Sequence, residues 1–295
     1  MIECQSDKMR SEILTNMTVG RFGHYEIENH TGELGQPSIA RVLAAIALVA
    51  SLASAAAAQD SLHRIEENQT IERARQIALQ YTASMPNFIS TETIRRSSLP
   101  KGSQTWKSVD TLTVDVAFSD KGERYNLLTI NRKPTKKTFS QVGGAKSDGE
   151  FGTLLRWIFR PESATTFRWE RFEELRGRSM DVFSYSIEQN HSEYNVVVNK
   201  LRMIAAFGGL VYVDRETCEV MRITHAPSGI PSSWPLAAMS GKLDYEFAEI
   251  AGQKVLLPLH AELNVTFRDG SQAQNAMGFD SYRKFSSQAI LKFEP

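Results

Sequence analysis

The chain predicts an α+β fold that is mainly β: a curved antiparallel sheet of about 10–11 strands, an incomplete barrel, covered by two helices. Three observations carry that expectation. From Phe88 onward, apolar residues alternate with polar ones in run after run. Only two stretches, near residues 60–85 and 151–160, change to the three- and four-residue spacing of a helix. The connections between runs are short, and a parallel crossover needs a dozen or more residues, so neighbouring strands must be antiparallel. The clearest piece is Phe207 to Thr224, two β-branched runs flanking Asp214-Arg215-Glu216-Thr217, a polar segment suited to tight reversal.

Met1 to Pro37 shows mixed charge and no sustained period, and is read as an unstructured or mis-assigned extension. Ser38 to Ala58 follows, with Arg41 before an uncharged run from Val42 and an Ala-x-Ala ending, which is the pattern of a secretory signal peptide cleaved near Ala58. The alternative is an anchor through 42–58, close to the shortest length that spans a bilayer. The remainder, 59–295, is expected to be one β-rich domain.

The first helix covers residues 60–85. Thr70 is the expected N-cap, and Ile71, Ala74, Ile77, Ala78 and Tyr81 form one apolar stripe. Pro86 disfavours helical geometry at Met85 and ends it. Phe88 to Arg96, Val109 to Phe118 and Arg124 to Asn131 are the first strands, the last two joined by the turn Ser119-Asp120-Lys121-Gly122. Lys133 to Glu150 is a polar loop, long enough to be mobile or functional.

In the second helix Phe151, Leu154, Leu155, Ile158 and Phe159 share a face, with Trp157 at its edge and Pro161 closing it. So apolar a segment either plugs a hydrophobic concavity or is buried in the main core. Further strands are expected at Thr165 to Leu175, Arg178 to Gln189, Tyr194 to Leu201, Ile204 to Asp214, Thr217 to Ala226, Gly241 to Ile250, Lys254 to Arg268 and Gln272 to Phe285. Pro227 to Ser240, with three prolines, is excluded as a central strand.

Charge and motif content narrow the function. With 34 basic and 34 acidic residues and no dense basic run apart from Arg132-Lys133 and Lys136-Lys137 in one loop, the chain has no nucleic-acid footprint. Cys4 and Cys218 are the two cysteines; Cys218 is read as a small buried residue in a strand. The histidines stand singly on separate elements, without metal-ligand spacing, so no metal and no cofactor is expected. No Gly-x-Ser-x-Gly elbow, phosphate loop or dinucleotide fingerprint occurs. The expectation is a protein that is not an enzyme, with a hydrolase using dispersed residues as the remote alternative.

The order helix, hairpin, loop with a short apolar helix and long antiparallel meander, together with Gly209 to Thr217 followed by Val220-Met221-Arg222-Ile223, resembles the periplasmic lipoprotein-carrier (LolA/LolB-like) superfamily. That resemblance implies an incomplete barrel whose concave side holds acyl chains beneath covering helices. It departs in lacking a lipobox cysteine after the signal region, which favours a soluble carrier over a lipid-anchored acceptor.

Aromatic residues crowd positions 151–185. The expected ligand-lining residues are Leu154, Trp157, Ile158, Phe159, Phe167 and Trp169; the competing expectation is that these fill a sheet-on-helix core. The expected partner is a hydrophobic ligand or lipidated protein bound by a monomer in the periplasm, and the alternative is an envelope protein contacted by a module with a filled interior.

Overall fold

The structure is a computed structural model and describes residues 65–284 apart from 120, 121, 148 and 251. The expected extension and signal peptide lie outside the described residues. By internal contacts the chain divides between Thr70 and Ile71; of the first unit only 65–70 is described, and the architecture below belongs to the second.

Helix α1 occupies 65–84 and stops ahead of Met85-Pro86 as expected. Ile71, Ala74 and Ala78 are its buried stripe. Thr70 lies inside the helix and is not its N-cap. The apolar periodicity begins only at Ile71, so the exposed first turns left no apolar pattern by which to place their start.

The strands are β1 Phe88–Leu99, β2 Lys107–Ser119, β3 Gly122–Ile130, β4 Lys133–Pro134, β5 Thr166–Leu175, β6 Arg178–Ile187, β7 Asn195–Val198, β8 Leu201–Ile204, β9 Ala206–Asp214, β10 Val220–Ser228, β11 Leu236–Ile250, β12 Gln253–Phe267 and β13 Gln272–Lys284. Helix α2, Thr153–Phe159, lies between β4 and β5. Eleven strands form one sheet in the order β4-β3-β2-β1-β13-β12-β11-β10-β9-β6-β5, antiparallel throughout and not closed, while β7 and β8 pair only with each other.

Three expectations change here. Tyr194 to Leu201 is not one strand: the chain reverses at Asn199, which takes a left-handed conformation, and folds into the β7–β8 ribbon. Cys218 is buried but sits in the β9–β10 turn at positive φ, not in a strand. That turn is organised by Asp214, whose Oδ1 accepts from the backbone N–H of Glu216 and Thr217 at 2.9 Å each, while Arg178 Nε donates to Oδ2 at 2.5 Å. An Asp that caps its own turn in this way needs no glycine.

Leu236 to Ser240 open β11, an interior strand, although Pro227 to Ser240 was excluded as a central strand. Pro227 itself lies within β10, opposite Phe207 of β9. The sheet tolerates it because the β10–β11 ladder, four residue pairs from Arg222↔Asp244 to His225↔Gly241, has already ended. Beyond that point β10 has a free side, where a residue without an N–H leaves no donor missing. On the outer face this narrow ladder is crossed by Arg222, bidentate to Asp244 at 2.5 and 3.0 Å, and by Arg176 Nη2, which donates to Tyr245 O at 2.6 Å.

One row of cross-strand partners runs over the inner face from β6 to β2: Phe183, Val211, Ile223, Leu243, Ala261, Met277, Ile94 and Leu112, every one at most 5% exposed. Burial of each large member contributes on the order of 1.5–3 kcal/mol, so this face is the core.

The roof above it requires the sheet to coil. Phe151 packs edge-on against Phe88 of β1 and Phe279 of β13, each with ring centres 5.3 Å away, and Phe159 stacks on Phe167 of β5 at 5.4 Å. Six strand spacings separate β13 from β5, roughly 29 Å along a flat sheet. The intervening, mostly helical residues advance only about 12 Å. Side-chain reach does not close that gap; curvature does, as the accumulated right-handed twist of an open sheet provides.

Candidate functional site: the roofed inner face

Three segments cover the inner face: α1, a strap formed by residues 135–152, and α2. The strap was expected to be a mobile or functional loop. It is tied down along its length, so that Arg96 of β1 donates to Gly143 O, Asn275 of β13 to Ala145 O at 2.8 Å, and Gly149 and Phe151 donate their N–H groups to Glu123 of β3 at 2.9 and 3.2 Å. Lys146 Nζ gathers the carbonyls of Phe139, Ser140 and Val142; burial and then the Arg96 charge hold its ammonium below the ordinary lysine range.

At the β5–β6–β9 end the site is aromatic. Phe159 stacks on Phe167, Phe167 approaches Tyr185 at 6.5 Å, Tyr185 meets Phe207 edge-on at 6.0 Å, and Phe207 lies 4.8 Å from Tyr194. Helix α2 supplies Leu154, Leu155, Ile158 and Phe159, all buried. Its last turn is closed by Arg75, which donates to Phe159 O at 2.8 Å and lies over the Phe167 ring, and by Thr165, which donates to Ile158 O at 2.6 Å. A cation beside the C-terminal carbonyls suits the helix dipole.

Of the six residues expected from sequence, Leu154, Ile158, Phe159 and Phe167 therefore lie in this cluster. Trp157 is at its rim, donating to Glu193 at 2.9 Å with its ring 6.4 Å from Tyr194. Trp169 shares the inner face of β5 but packs on Phe172 and donates to Asp181 at 3.0 Å.

His225, one of the singly placed histidines, lies at this aromatic end. Tyr194 Oη is 2.8 Å from its Nδ1, and its ring rests over Gly241, where any Cβ would overlap Nε2. Burial pushes its pKa down to about 4, so the imidazole is neutral at pH 7.

At the β1–β3 end the inner face carries carboxylates. Phe88, Ser90, Glu92, Ile94 and Arg96 are all directed inward from β1 and buried. Arg96 is compensated by a bidentate pair with Asp110 of β2, both distances 2.6 Å. Tyr125 Oη donates to Glu123 at 2.5 Å and lies 3.2 Å from Glu150. Burial, then Glu150 and Glu123, push the Glu92 carboxyl well above the ordinary range. Sequence reasoning did not single out these acids. The available signal was Glu92 on the alternation Phe88, Ser90, Glu92, Ile94, where a charge shares a face with core residues.

The outer face carries ion pairs such as Lys242–Glu262 at 2.7 Å and an open hollow of about 480 Å³ above Gly278, bordered by Thr93, Arg95, His260 and Asp280. Among the described residues no group of three or more His, Cys, Asp or Glu is placed to hold a metal ion, and no helix is long and apolar enough to cross a membrane.

The chain matches no sequence-family model and no curated protein sequence. In structure it is similar to a DUF1329 family protein from Desulfovibrio piger, at 10% identity and a TM-score of 0.42, covering 76% of this chain and 96% of that one. It is also similar to an outer-membrane lipoprotein-sorting protein domain from Vibrio parahaemolyticus, at 10% identity and 0.33 over 73% and 94% of the two chains. A LolA superfamily protein from Nitrosomonas europaea matches at 8% identity and 0.30 over 74% and 93%. What this chain binds has to be read from its own side chains.

Proposed function

We propose that the protein binds or carries a lipid, lipidated protein or other hydrophobic ligand on the inner face of its coiled sheet, without catalysing a reaction, in the periplasm or after secretion. The observation that supports this reading most is the roof. The apolar face of the open sheet is covered by a strap and a seven-residue helix, where a second sheet would make a permanent core. In this reading Leu154, Ile158 and Phe159 occupy in the closed form the surface that acyl chains occupy in the loaded form, and Phe167, Trp157 and Trp169 line it. Exchanging one apolar occupant for another costs little net burial.

The test is native mass spectrometry of the full chain exported to a bacterial periplasm, before and after organic extraction. A co-purified acyl species that extraction removes is the expected result. Protein that stays unliganded after incubation with membrane lipid would move the reading to the second one, an envelope interaction module. That second reading is favoured by Val197, Leu201 and Ile204, exposed on the β7–β8 ribbon outside the main sheet.

A further inference from the structure

The inner face of β1 holds two polar atoms that the fold leaves unsatisfied. Ser90 Oγ and Glu92 Oε2 are buried without a hydrogen-bond partner, and the two residues are 0% and 2% exposed. Leaving such a group unpaired is costly, and neighbouring polar groups on the inner face of this end are satisfied: Arg96 by Asp110, Asn275 by Ala145 O, and Glu123 by two strap N–H groups. Ser90 and Glu92 are two residues apart on one strand and face the same way, about 6–7 Å between Cα atoms, within reach of a single small donor group.

The groups that face Glu92 decide the donor's charge. They are Glu123 and Tyr125 from β3, Glu150 from the strap and Tyr282 from β13, none of them cationic. The surrounding rings are Phe88, Phe151, Phe279 and Tyr282, packed edge to face. A buried carboxylate and a hydroxyl among aromatic rings match a protonated amine, which has several N–H donors, a positive charge and an affinity for ring faces. A ligand carboxylate or phosphate would instead meet like charge.

We propose that Ser90 and Glu92 form the seat for the protonated amine at the polar end of an amphiphilic ligand whose apolar part lies on the inner face. This rests on the binding function proposed above and adds the head-group class to it. In the unliganded protein the Glu92 carboxyl keeps its proton to higher pH than an ordinary carboxyl. Arrival of an ammonium makes the carboxylate the favoured form, so the proton leaves to solvent as the ion pair forms. Binding of an amine is therefore coupled to release of a proton and tightens as pH rises toward the raised Glu92 value.

The experiment is calorimetric titration of the full chain with dodecylamine, dodecanol and dodecanoic acid, at pH 6 and pH 8 in buffers of differing ionisation enthalpy. The expected result is dodecylamine binding about tenfold or more tighter than dodecanol, with proton release. Glu92→Gln should abolish the preference and the proton release while dodecanol binding persists, and Ser90→Ala should weaken the amine alone by a few-fold. Equal binding of amine and alcohol, or an amine preference that survives Glu92→Gln, overturns the head-group seat but leaves the binding function standing. Absence of binding by all three compounds overturns both.

Discussion

The two ends of the inner face are built on opposite principles. At the β5–β6–β9 end, rings and aliphatic side chains interlock, and the imidazole of His225 is held neutral by desolvation. At the β1–β3 end the strap is fixed by backbone N–H groups donating to a carboxylate, within a set of acids that disfavour one another's ionisation. One end is held by packing around an imidazole that resists gaining a proton. The other is built on a carboxyl that resists losing one, and the two pH responses have opposite sign.

The largest expected effect breaks the packed end. Phe159→Ala removes a ring that is 0% exposed and stacked on Phe167, and should lower unfolding stability by about 3–5 kcal/mol in urea titrations, with little dependence on pH. A smaller loss than about 1 kcal/mol would mean that α2 is peripheral to the core.

Glu92→Gln tests the other end and should act in the opposite direction. Its raised pKa means that the folded state holds a proton which the unfolded chain has already lost above about pH 4.5. Stability is therefore highest below that pH and falls as pH climbs through the raised folded value. Replacing the acid by its neutral amide should stabilise the protein at pH 8 by about 1–3 kcal/mol, the range for an unsatisfied buried polar group, and flatten the alkaline limb. No change between pH 5 and pH 8 in either protein would remove the contrast between the two ends.

Gly241→Ala should cost about 1–3 kcal/mol, because the new methyl overlaps the His225 ring and forces it aside. His225 gives the acid limb. Its folded pKa of about 4 lies below the ordinary 6.5, so its contribution is complete above pH 6.5 and is lost as pH falls toward 4. His225→Gln should flatten that limb alone, read from urea midpoints across pH 4–7. Smallest of all, Glu193→Ala should cost under about 1 kcal/mol, although Glu193 bonds both Trp157 and Arg160, since it does so at the surface.

Much of the architecture was legible because period-two alternation and turn residues are local signals: ten of the eleven expected strands correspond to strands of the sheet, and both helices form where their apolar stripes lie. What failed was equally local. The β7–β8 reversal at Asn199 carries no glycine or proline, and Pro227 is tolerated because a ladder ends before it, which no single strand discloses. For the candidate site, α2 and Phe167 could be read from their apolar face, but Trp169 could not be placed with Phe172. The acids escaped notice because Glu92, Glu123 and Glu150 are far apart in the chain, and only the registers of β1 with β2 and of β2 with β3, together with the return of the strap, bring them together.

The four-pair β10–β11 ladder divides the sheet into two leaves, and the division coincides with the two ends. The carboxylates lie on the leaf that runs from β4 to β11, and the aromatic chain on the leaf from β10 to β5. Strap and α2 span both, with Phe151 seated on one leaf and Phe159 on the other. Mechanically this is a book whose spine is four residues long and whose clasps are two segments of chain: the strap with α2, and α1, where Arg75 reaches Phe159 and Phe167 and Tyr81 donates to Leu256 O. Pivoting about that spine, with Arg222–Asp244 as its rivet, would require both clasps to leave one of the leaves.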